Sequence, residues 1–151
     1  MLPTGPVILT AEEEEECHYF IKTITSSGEG KVLYAKKEHE EAVTKCLRAI
    51  ALLARAERLL TAAGPESGAE IKDQACAAAA KAWAIYPLPI HLYDYACIMV
   101  QAGQDAEAKV IFKEFLKQQE TFSPSLNDIG FLSGRDLPAA ILHTKKILLG
   151  A

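Results

Sequence analysis

Residues 93–112 read YDYACIMVQAGQDAEAKVIF. Two runs rich in alanine and larger apolar residues flank one glycine, Gly103. Each run suits a helix, and glycine supplies the left-handed residue with which a helix commonly ends. Asp105 stands where it can help to start the next helix. The stretch therefore predicts a helix over about 89–102, a turn at Gly103 and a second helix over about 105–121. Two helices joined so tightly must fold back on one another.

Working outward, the PLP triplet at 87–89 stops a preceding helix of about 69–86, because proline lacks a backbone donor and restrains the residue before it. Pro89 then suits the first turn of the next helix. GPESGA at 64–69 reads as a loop, with Ser67 and Glu70 at capping-box spacing. Between Lys31 and Ala63 there is no proline or glycine, so the segment forms one long helix or two with a join near 54–57. SSGEG at 26–30 separates it from a first helix of about 11–25. Thr10 and Glu13 have capping-box spacing there, and Glu12–Glu16 place carboxylates at the positive end of the helix dipole. Ser123–Pro124 suggests a short helix of about 124–132, and a last helix covers about 136–149. Residues 1–10 form a flexible N-terminal segment and 11–150 one α-helical domain. Strand signals are almost absent.

The helices carry a register. Ala42, Ala75 and Ala108 stand 33 residues apart. In the same register fall Gly30, Ala63 and Ala96, then Cys46, Ala79 and Phe112, then Ala49, Ala82 and Phe115. Small residues recurring in matched slots let antiparallel helices approach closely, and a period of this length points to stacked helical hairpins. The pattern resembles the tetratricopeptide repeat family, on Ala96, Gly103, Ala108 and Phe112, with Ala82, Trp83 and Pro87 closing the unit before. The resemblance covers about 70–121. Leu92 and Met99 stand where that family often has aromatic residues. The expected fold is all-α: a tetratricopeptide-like stack of about six or seven helices, with an irregular α-bundle as the alternative.

The resemblance implies a non-enzymatic interaction module that holds a peptide or helix of a partner protein in a groove lined by first helices. The groove residues it implies are Ile90, Tyr93, Asp94, Cys97 and Gln101, with Tyr93 and Tyr95 on different sides of their helix. One subfamily grips a C-terminal carboxylate with Lys, Asn and Arg. Here the matching slots hold Tyr93, Cys97, Leu60 and Gly64, none of which supplies a charge, and Lys31 alone does not make that site. Small acidic proteins of this family also act as chaperones or adaptors for secreted partners, which gives a second functional expectation.

Composition narrows the remaining classes. Half of the 151 residues are apolar and the net charge is −4, so no basic surface invites nucleic acid. No apolar run reaches the roughly 20 residues that span a bilayer. The N-terminal stretch lacks the basic start of a signal peptide, so the cytoplasm is expected. Cys17, Cys46, Cys76 and Cys97 form no CxxC pair and read as buried thiols. A thiol-dependent enzyme is the rival class. It needs a base beside the nucleophile, yet Cys97 and His91 lie six apart, and Cys17 and His18 diverge as neighbours on a helix. His39 and His143 sit among charged residues. No metal motif, phosphate loop or cofactor is expected. The apolar end, with Phe131, Leu132, Ile147, Leu148 and Leu149, leaves self-association open.

Overall fold

The computed structural model describes residues 7–26, 37–64, 68–121 and 137–150. These contain six helices and no strand: α1 (Ala11–Thr25), α2 (Lys37–Ala63), α3 (Ala69–Ile85), α4 (Pro89–Gln101), α5 (Asp105–Thr121) and α6 (Leu137–Leu148). Each packs on its neighbour in sequence, most extensively α2 on α3 and α4 on α5, and α4 also touches α2 and α6. The result is an all-α helical stack. Of the long 31–63 stretch, 37–63 is a single helix with no join near 54–57. The short helix expected at 124–132 lies outside the described residues.

Local chemistry sets the ends of these helices. At the start of α1 the capping box is complete. Glu13 N–H donates to Thr10 Oγ1 (3.1 Å), and Thr10 N–H donates to Glu13 Oε1 (2.8 Å). The start of α3 departs from expectation: Gly68 occupies the N-cap and supplies no side-chain bond, and Ser67 lies outside the described residues. Pro89 takes the first turn of α4, as its fixed φ favours. Asp105 is the first residue of α5.

Gly103 ends α4 at φ +83°. Gln104 N–H bonds Met99 C=O (2.9 Å) and Gly103 N–H bonds Val100 C=O (3.0 Å), which is a Schellman motif. A Cβ at Gly103 would meet nothing within 4 Å, so glycine is needed there for its backbone and not for space. Across the hairpin, Tyr93 of α4 packs on both Phe112 and Phe115 of α5, with ring centroids 5.9 and 5.4 Å away. These rings lie at similar distances along the two arms from Gly103, as an antiparallel hairpin requires.

The register locates the buried face. Ala75 and Ala108, Cys46, Ala79 and Phe112, and Ala49, Ala82 and Phe115 are all fully buried. Ala96 is buried too, but its mate Ala63 is exposed at the end of α2. Two apolar clusters result. One is formed mainly by α4 and α5 around Tyr93, Phe112 and Phe115, and α6 adds Ala140 to it. The other joins α1, α2 and α3 with Ile98 of α4, and seven of its eleven buried members are alanines, which lets helices pack closely.

Candidate functional site

Helix α2 presents Ile50, Leu53, Ala54 and Glu57 along one stripe, at the i, i+3, i+4, i+7 spacing of a single helical face. Helix α4 sets His91, Asp94, Cys97, Ile98 and Gln101 opposite it. Between them runs an open groove of about 380 Å³. Ile50, Leu53, Ala54 and Ile98 give it apolar surface, and Glu57, Asp94 and Gln101 supply polar groups.

Three of the five expected groove residues, Asp94, Cys97 and Gln101, lie on this groove. The other two lie elsewhere. Ile90 and Tyr93 are buried in the aromatic cluster. The Tyr93 hydroxyl shares a 2.6 Å hydrogen bond with His143 Nδ1 on α6, and the two rings meet edge to face. Tyr95 is half-buried against both clusters, so neither tyrosine lines the groove. The expected set was rotated about the α4 axis: one position of displacement turns a side chain by about 100°, and the arc that faces α2 runs toward His91 and Ile98 and away from Ile90 and Tyr93. His91 and the whole α2 wall were missed. The spacing of Ile50, Leu53, Ala54 and Glu57 was the available signal.

His91 is fully buried at the base of α4. Its Nδ1–H donates to Tyr86 C=O (2.9 Å), across the PLP turn. Burial pushes its pKa below the ordinary value, against the opposing effect of that hydrogen bond. The imidazole therefore fastens the end of α3 to the start of α4 in its neutral form.

A second groove, about 730 Å³, lies between α1 and α2. Glu12, Glu15, Glu16, Tyr19 and Phe20 face Ala51, Ala54, Arg55 and Arg58 across it. Arg55 forks between Glu16 (2.7 Å) and Glu12 (3.2 Å), and Arg58 reaches Glu16 (2.9 Å). Burial works against the Arg55 charge, but the bond and charge of Glu16 and the neighbouring glutamates hold its pKa above the ordinary value. Tyr19 remains 72% exposed. Behind this groove the buried Glu13 carboxylate meets Lys81 Nζ of α3 at 2.6 Å. Burial raises the Glu13 pKa, yet the bonds from Lys81 and Thr10 outweigh it and leave the group below its ordinary value.

Two of the four thiols, Cys17 and Cys76, are ill-suited to nucleophilic chemistry, while Cys97 on the groove is partly buried. Burial pushes Cys17 up to about 11, and its thiol donates to Arg48 C=O at 3.8 Å. Burial also raises Cys76. A thiolate nucleophile needs the opposite shift. Among the described residues no group of three His, Cys, Asp or Glu side chains is placed to hold a metal ion. No described helix is long and apolar enough to cross a membrane.

At the C-terminal end, Ile147 and Leu148 pack on the aromatic cluster, whereas Leu149 is exposed. Phe131 and Leu132 lie outside the described residues. Comparisons of the chain with protein-family models, curated proteins and solved structures found no match.

Proposed function

We propose that the chain is a non-enzymatic, tetratricopeptide-like interaction module that seats a helix or extended peptide of another protein in the α2–α4 groove. The observation that carries this is the groove itself: two facing helical stripes with apolar residues between polar ones, the arrangement into which an amphipathic helix lays its apolar face. The raised Cys17 and Cys76 thiols are poor nucleophiles, which supports a binding role as far as those two residues go. The Gly103 hairpin supports the repeat-like character of the α4–α5 unit.

Immobilised protein would test it by capture from a native extract. Leu53→Asp puts an uncompensated charge on the groove wall and is expected to lose the captured partner. Val110→Asp, on the exposed side of α5, is expected to keep it. Circular dichroism should show both variants as helical as the parent. Equal capture by the two variants would place the docking surface elsewhere.

A further inference from the structure

The two grooves meet. Ala54 belongs to both linings, and its methyl group is the only α2 side chain that the two share. The two grooves thus adjoin at Ala54, with Tyr19 and Phe20 in the α1–α2 lining and Ile98 and Gln101 in the α2–α4 lining, and together they form the trough considered below.

Charge along the trough is one-sided. The combined linings hold five carboxylates (Glu12, Glu15, Glu16, Glu57 and Asp94) and two guanidiniums (Arg55 and Arg58). Arg55 is turned onto Glu12 and Glu16, and Arg58 onto Glu16. Among the carboxylates that the two arginines do not hold, Glu15 lies in one groove and Glu57 in the other. His91 does not offset it, because burial disfavours its protonated form. The α4 wall contributes no lysine or arginine.

Resting on the interaction role proposed above, we infer that the occupant is a basic amphipathic segment of a partner protein, crossing α2 over Ala54. Its apolar side meets Phe20, Leu53 and Ile98, and its lysines or arginines meet Glu15 and Glu57. Such complementarity sets partner choice and association rate more than raw affinity, and it weakens with salt.

Synthetic 18-residue helical probes test the inference by fluorescence anisotropy: one of leucine and lysine, one of leucine and glutamate, one of leucine and serine, all with the same apolar face. The lysine probe should bind best and weaken as salt rises. Glu15→Gln with Glu57→Gln should weaken it by about threefold to tenfold, the range for two exposed ion pairs. Glu70→Gln with Glu120→Gln removes the same charge from exposed sites off the trough and should change binding by less than about twofold. Ala54→Trp should block the lysine probe while leaving helicity unchanged. Equal loss in the two charge pairs would reduce the effect to net charge and overturn the inference. Tight binding of the serine or glutamate probe, abolished by Leu53→Asp, would overturn the basic occupant and leave the groove role standing. Binding of any probe undisturbed by both Leu53→Asp and Ala54→Trp would overturn both.

Discussion

The same slots of the register are filled in opposite ways in the two halves of the stack. In α2 and α3 they hold Cys46, Ala49, Ala79 and Ala82; in α5 they hold Phe112 and Phe115. The first half closes by bringing helices together over alanines. The second half fills its interior with rings, among them Tyr93 and, at the edge, His143. One periodic pattern thus specifies which face is buried without specifying how far apart the helices sit. Side-chain volume sets that distance, because interiors are filled to a nearly constant density.

The contrast breaks most sharply if a ring is removed. Phe115→Ala leaves a cavity in the second half and should cost about 3–5 kcal/mol in chemical denaturation. Its register mate tests the reverse. Ala82→Leu adds volume where backbones are close and should cost about 1–3 kcal/mol through overpacking. If Ala82→Leu is neutral, the first half is looser than its alanines imply.

Acid should separate the halves more gently. His91 in the second half has a folded pKa below its ordinary 6.5. The unfolded chain then takes up the proton first, so this contribution is full above about 6.5 and fades as pH falls through the lower folded value. Glu13 in the first half is likewise depressed from 4.5, so its contribution persists until more acid conditions. Thermal melts from pH 7.5 to 5.5 should show a decline that His91→Asn flattens and Glu13→Gln does not. A decline untouched by His91→Asn would assign the effect to another group.

Much of the fold was legible because its punctuation is strong. Gly103, the PLP triplet and the Thr10–Glu13 box each mark a helix end by local chemistry, and the 33-residue register found buried slots in α2 to α5, with Ala63 the exception. The unbroken α2 was not decidable from sequence, since no residue in it either forces or forbids a join. The groove was half legible. Its α4 side follows from helical spacing, but which arc of α4 faces α2 depends on helix rotation. That rotation is fixed by Tyr93 reaching Phe112, Phe115 and His143, a long-range contact that local pattern does not encode.

The Glu13–Lys81 pair joins α1 directly to α3, past α2, its neighbour in the chain. A terminal helix held only by its neighbour frays on its own. One pinned to a non-adjacent helix through a buried carboxylate opens with it as a single cooperative unit. Amide protons of α1 should then exchange with deuterium on the timescale of α3, and replacing Lys81 should uncouple the two.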